Sequence, residues 1–449
     1  MSGPEARFAA RLSEAIGAPA LRDRLGVVGE PFLVRRAGDE SATRLQESAL
    51  RGVGRVVATS AESARLLAAR PELLERLADA SGAPAEALEK RAAELEGGVP
   101  DDSPLDLEDL LDALRLLRRE ETLFAACLDL AGEVAFPDVS RFLSVLAEHV
   151  VRRALARARQ AAAAREAAPR SFAVIGMGKV GGREFTYHSD LDLIFLHGGG
   201  PDEIVRVSRL GQRLVSYLAT TTRAGVAYAV DMRLRPSGNQ GPLVTSFDAW
   251  ARYQREEAQL WEHLVLMRAR PIAGDTEPAQ AAVEGLRDWV LRTAEPPWPG
   301  VEDMRRRVER ERGGEGDGRI ALKTGPGGLM DVDFLAAGGL LERGAELSAP
   351  SLPSNAAMLR AAAPRGAAER VLVAYDLLRR VEARARFVSG RAVEHLEPAS
   401  ETFEVTAEVL DLEPRSRARA ALAEALAGAR GTIRSAWRRV VDARSIGAL

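Results

Sequence analysis

The sequence predicts an α+β fold in which a small mixed sheet with its own helices is flanked on both sides by helical bundles. Three observations predict it. Apolar residues recur at helical spacing through 1–165. Between 171 and 240 the text breaks into short, partly β-branched apolar runs separated by glycines. From 320 to 445 the helical spacing returns. The expected division is a helical region over 1–165, a sheet-bearing region over 166–290 and a second helical region over 291–449. Three regions also suit 449 residues at roughly 150 residues per domain.

Each element follows from its residues. The run DLEDLLDALRLL (106–117) places leucines on one helical face after a breaker at 98–104. Over 138–158, Val139, Phe142, Leu143, Leu146 and Val150 form a second apolar stripe. The Ala/Arg-rich stretch 151–170 reads as a solvated helix face, with a phosphate-binding face as the alternative. SFAVI (171–175) begins the first strand, glycines follow in GMGKVGG (176–182), and DLDLIFL (190–196) is the second strand. A helix is predicted over 206–220 and a third strand over 226–234 (VAYAVDMRL). EPPWPG (295–300) marks a boundary and GGEGDGR (313–319) an exposed loop. Helices are predicted over 367–387 and 415–440, after a breaker at 348–355. No repeat of solenoid period is present.

Composition narrows the function. The chain is 46% hydrophobic and 28% charged, as globular proteins are. Its 62 basic and 65 acidic residues leave a net charge of −3, which argues against a generic polyanion binder. A single cysteine, Cys127, excludes an intrachain disulfide and a multi-cysteine metal site, and the five histidines are scattered. The charged N-terminal text has no apolar h-region, and no apolar run approaches the ~18 residues of a membrane span. The chain is therefore expected in the cytoplasm, with no membrane and no nucleic-acid partner.

The chemistry concentrates in GMGKVGGREFTYHSDLDLIF (176–195). Gly176, Gly178 and Gly181 match G-x-G-x-x-G after a strand, but a dinucleotide fold needs a full helix next and an acid ending the following strand. Here Asp190 and Asp192 stand at that strand's start. A Walker A loop is absent. A purely structural D-x-D at a strand edge is the bland reading. Against it, i and i+2 share a strand face, so both carboxylates project together while leucines turn to the core. Two adjacent like charges need a cation between them. The remaining reading is a nucleotidyltransferase site. Asp190, Asp192 and a third carboxylate on a neighbouring strand, Asp231 in VDMRLRP, would hold Mg²⁺, in a two-ion clamp. Gly176, Gly178 and Lys179 would hold phosphate oxygens. Ser189 would bond a phosphate or simply end the turn. Arg233 and Arg235, by the i, i+2 rule, would share the face of Asp231 and bind a triphosphate, or else pair with the acids. Arg183 and Glu184 are expected as a surface pair on a short helix. His188 and His197 are expected to be structural, and Trp250, Trp261 and Trp289 to be core.

These residues resemble the nucleotidyltransferase modules of glutamine synthetase adenylyltransferases. The resemblance is carried by GMGKVGGREF…SDLDLIFL, by 230–275 (VDMRLRPSGNQGPLVTSFDAWARYQREEAQLWEHLVLMRARPIAGD), by LKTGPGGLMDVDFL (322–335), and upstream by 69–77 and 114–129. It implies a DNA polymerase β-like nucleotidyltransferase core, ATP as substrate, and AMP transfer to a tyrosine of glutamine synthetase. It also implies regulation by PII signal proteins and glutamine. Family members usually carry two modules, one removing AMP and one attaching it. This length accommodates one, and its text is more similar to the attaching module. A second motif follows at Lys323, Asp331 and Asp333. There the family's Arg-Asp-Ile-Glu-Phe is replaced by Met330-Asp331-Val332-Asp333-Phe334, and a following glutamine is missing. Lys323 and Asp331 are expected either to close over the substrate or to belong to a capped helix at a domain joint. The alternatives carried forward are a PII uridylyltransferase-like enzyme and a catalytically idle regulatory relative.

Overall fold

A computed structural model gives the fold, and it describes residues 3–36, 42, 44–98, 105–164, 169–314, 316, 318–344, 354–412 and 417–449. Most of the expected breakers at 98–104 and 348–355, and the start of the expected helix at 415, lie outside the described residues. So do parts of the 151–170 stretch and of the 313–319 loop. The observed architecture is α+β, with long helices packed on both faces of a five-stranded mixed sheet.

Two of the predicted helices are much longer than their apolar runs. The run at 106–117 opens Leu107–Ala131, started by the Asp106 side chain accepting the Asp109 N–H at 2.9 Å and stopped by Gly132 in the left-handed conformation. The stripe at 138–158 lies in Phe136–Ala163. Farther along, Ile204–Ala219, Glu369–Ser389 and Ala418–Ala443 occupy the other predicted helical stretches.

The sheet contains β1 (Ala173–Gly176), β2 (Leu191–His197), β3 (Val230–Asp231), β4 (Val244–Ser246) and β5 (Arg270–Gly274). Strand β1 is antiparallel to both β2 and β5. Strands β3 and β4 run parallel to β2, β3 beside its start and β4 beside its end. Two features differ from the sequence expectation. The third strand, expected over 226–234, shrinks to Val230–Asp231, because the chain turns immediately after Asp231. Strands β4 and β5 were not expected at all. Each is only a few residues long, and their pairing is long-range, which no local pattern reports.

The sheet has no solvent-facing side over most of its area. Along β1, Phe172 and Val174 join a core built on the N-terminal helices, while Ala173, Ile175 and Met177 join a second core built on the C-terminal helices. Along β2, Leu191, Leu193 and Phe195 belong to the first core, and Ile194 and Leu196 to the second. The period-2 alternation of a strand thus splits its side chains between two bodies. Asp192 shares the face of Ile194 and Leu196, so it projects toward the C-terminal helices.

Candidate active site

Parallel pairing of β2 with β3 sets Asp192 in register with Asp231. Paired residues of neighbouring parallel strands point to the same face, so the two carboxylates stand side by side. Asp190, just before β2, completes the group. One oxygen from each of Asp190, Asp192 and Asp231 lies within 4.8 Å of the other two. Asp190 is exposed and the other two are half-buried. The Asp192 carboxyl is pushed up to about 6, first by burial and then by the neighbouring charges of Asp190 and Asp231, which outweigh the relief from Lys323 and Arg268. Three oxygens this close, with one proton-hungry carboxyl among them, are a donor set that fits a hard divalent cation.

Asp231 has a different environment. The Arg233 backbone N–H and guanidinium Nε donate to its oxygens at 2.9 and 2.8 Å, and this holds its carboxyl below the ordinary range. The arginine lies in the turn after β3, not on a strand, so the i, i+2 expectation does not place it. It pairs with the acid directly. Arg235 points elsewhere: its guanidinium donates to the carbonyls of Met232 at 2.8 Å and Gly241 at 3.4 Å.

The glycine turn supports the carboxylates by close approach. Gly178 has φ +50°, and a Cβ there would sit 2.5 Å from Asp192 Oδ2. At Gly181 a Cβ would meet the Arg268 carbonyl at 2.0 Å, which lets β5 lie against the turn. Only four residues, Gly178–Gly181, are helical. Lys179 donates to Glu382 Oε1 at 2.6 Å, and burial draws its ammonium down to about 8.

A cleft of about 580 Å³ opens over these groups. Of the residues expected from sequence, Gly178, Lys179, Asp190, Asp192, Asp231, Arg233, Lys323 and Asp333 line it. Gly176, Ser189, Arg235 and Asp331 are not among its lining residues. Ser189 is buried, and its hydroxyl has no partner among the described residues. Asp331 is wholly buried, ion-paired with Arg305 and accepting the Gly327 N–H at 2.8 Å, so it braces the GPGG turn from beneath. Asp333 instead faces the cleft and accepts from Arg268 Nη1 at 3.2 Å.

Other expectations need correction. Arg183 and Glu184 are not a surface pair. Arg183 bonds Glu148 and Glu96, while Glu184 is buried against Arg268 and accepts the Tyr375 hydroxyl at 3.2 Å. Trp250 is core, at 1% exposure, and Trp289 is half-buried, but Trp261 lines the cleft. His197 is buried and His188 exposed. Sequence reasoning missed Arg268, which follows a short helix and is not set apart from nearby Arg270 by any local pattern, and missed Arg307 and Arg312, which line the cleft from the helix Trp298–Arg312. Arg307, Arg312 and Lys323 are exposed, and none has an ion-pair partner among the described residues. The cleft lining therefore holds an acidic wall and a cationic wall, the latter interrupted by Glu311, together with apolar side chains such as Leu264, Met304 and Val308.

Comparison with known proteins bears on this cleft. Residues 50–285 match the family model described as glutamate-ammonia ligase adenylyltransferase, and 301–441 match the one described as GlnD PII-uridylyltransferase. Among curated relatives, a bifunctional glutamine synthetase adenylyltransferase/adenylyl-removing enzyme of Thioalkalivibrio sulfidiphilus is 38% identical over 61% of this chain and 30% of its own length. The protein of the same name from Chromobacterium violaceum is 35% identical over 77% of this chain and 39% of its own. One from Xanthomonas campestris is 35% identical over 73% and 36%. The chain thus spans about a third of the length of these relatives.

Proposed function

Because the chain belongs to the glutamate-ammonia ligase adenylyltransferase family, we propose that it is a Mg²⁺-dependent nucleotidyltransferase that moves AMP from ATP to a tyrosine of glutamine synthetase, in the cytoplasm and under PII control. The observation that carries this reading is the Asp190, Asp192 and Asp231 group in one cleft with Arg307, Arg312 and Lys323, cations that have no ion-pair partner among the described residues. No helix among the described residues is long and apolar enough to cross a membrane.

The division of labour follows from the environments. Asp190, Asp192 and Asp231 would hold Mg²⁺. Bound there, the ion neutralises phosphate charge that develops during transfer. Arg307, Arg312 and Lys323 take the β- and γ-phosphates, which leave as pyrophosphate when the tyrosyl oxygen, its proton released to water, displaces them from the α-phosphorus. Lys179 and Arg233 line the same cleft. Asp231, already held ionised by Arg233, serves as a ligand rather than as a base. The apolar side chains of the cleft receive the base.

The test is incubation with ATP labelled at its α-phosphate, Mg²⁺ and glutamine synthetase. Label on a glutamine synthetase tyrosine supports the reading. Phosphate-dependent release of ADP from adenylylated glutamine synthetase, without forward transfer, would show the removing activity instead. Transfer from UTP to a PII protein would replace the reading with the uridylyltransferase one. The match over 301–441 does not favour that outcome, since it covers helices and not the carboxylates.

A further inference from the structure

The helix Glu369–Ser389 places Tyr375, Arg379, Glu382 and Arg386 at i, i+4, i+7 and i+11, along one face. All four reach the segment 179–188, which joins the glycine turn to Asp190. The Tyr375 hydroxyl donates to Glu184 Oε1 at 3.2 Å. Arg379 donates to the Glu184 carbonyl, and to Ser140 Oγ at 2.9 Å. Glu382 accepts from Lys179 Nζ at 2.6 Å and pairs with Arg386 at 3.2 Å. Arg386 also donates to the His188 carbonyl at 3.2 Å. One helix of the C-terminal region therefore grips this segment along its length.

Within this grip the Lys179–Glu382 pair stands out. The Glu382 side chain is 2% exposed and its Oε2 has no partner among the described residues, whereas Lys179 lines the cleft. A carboxylate is buried like this only against cations, and here burial is outweighed by Lys179, Arg386 and Arg379, which bring Glu382 down to about 2. An ammonium has three donors, so the bond to Glu382 leaves others for the cleft. A lysine stem has four rotatable bonds, and the bond to Glu382 holds its ammonium in one place.

We propose that Glu382 is a positioning residue for the nucleotide: from the C-terminal helical region it fixes the Lys179 ammonium at the cleft edge, so phosphate binding by the glycine turn depends on a carboxylate that never touches the substrate. This rests on the nucleotide-transfer reading above. Substrate recognition is then shared across the two matched segments of the chain, since Lys179 lies in one and Glu382 in the other.

The experiment is a double-mutant cycle on the full chain, read as the Kd for ATP by calorimetry and as KM and kcat for AMP transfer. Glu382→Gln keeps the shape and removes the charge. It should raise the Kd and the KM for ATP by about ten-fold, with kcat within about three-fold. Lys179→Ala should do the same, and the double variant should be no worse than Lys179→Ala alone. Glu382→Asp should restore part of the affinity, and it carries the cycle in place of the Gln variant should that one fail to fold. Equal losses from the Glu382 change with and without Lys179 would overturn the inference and leave the transfer reading standing. A wild-type protein that binds no ATP would overturn both.

Discussion

Arg305, on the helix Trp298–Arg312, and Asp331, in the first turn of the helix Leu329–Arg343, form an ion pair with side chains 1% and 0% exposed. Arg305 also donates to the Gly325 carbonyl at 2.7 Å, so the pair anchors the turn that carries Lys323. Removing Asp331 would leave Arg305 with only its longer pair to Glu309, at 3.6 Å, and would take from Arg434 the carboxylate 3.5 Å away, a loss that costs up to ~3–5 kcal/mol when no other counter-ion is at hand. Asp331→Asn should lower the melting temperature by several degrees and lower transfer along with it. An unchanged melting temperature with a large loss of rate would instead return Asp331 to the substrate.

Asp192→Asn separates chemistry from stability in the opposite sense. The change keeps the side-chain volume, removes one of three crowded negative charges and should leave the metal-free melting temperature equal or higher. AMP transfer should fall at least ~100-fold, the usual scale for lost metal electrostatics. Near-normal transfer in this variant would remove the carboxylates from the mechanism.

The raised Asp192 carboxyl also fixes a pH dependence. Its folded value, about 6, lies above its ordinary 3.8, so the native state holds this proton more tightly than the unfolded chain. The stability this contributes is fully present below the ordinary value and is lost as pH rises through about 6. In metal-free buffer, the melting temperature of wild type relative to Asp192→Asn should therefore fall from acid to neutral pH. Mg²⁺ competes with the proton, so its stabilisation of wild type should be larger at about pH 7.5 than at about pH 5. Thermal melts with and without Mg²⁺ at both pH values check the sign.

Arg307 and Lys323 are exposed and line the cleft, so their loss should touch binding and little else. Arg307→Ala and Lys323→Ala should each weaken ATP binding by about five- to twenty-fold. AMP binding, which lacks the outer phosphates, should weaken far less, and the melting temperature should move by under a few degrees. Equal losses for ATP and AMP would place these cations away from the outer phosphates.

Much of this site was legible in the sequence because it is written at strand spacing. Asp190 and Asp192 alternate with leucines, and Asp231 follows a short apolar run, so period-2 reasoning brought out all three acids. The same reasoning failed two residues later, at Arg233 and Arg235, where the strand had already ended in a turn. The helical regions were equally readable from their stripes. Strand β4 was not, because its position beside β2 depends on partners some fifty residues away. Nor was the exchange of roles in the second motif: local text cannot say whether Asp331 or Asp333 faces the cleft when both sit in the first turns of one helix. The cationic wall was missed for a related reason. Arg307 and Arg312 lie in an arginine-rich helix where nothing distinguishes an arginine facing solvent from one facing a cleft.

The sharing of β2 between two cores gives the cleft a mechanical address. Leu191 and Leu193 press on the N-terminal helices, and Asp192, between them, presents its carboxylate on the opposite side. Packing of these leucines on the N-terminal helices thus sets where the Asp192 carboxylate stands in the cleft. No described residue of the N-terminal helices lines the cleft, yet their packing against the opposite face of β2 holds one of its carboxylates in place.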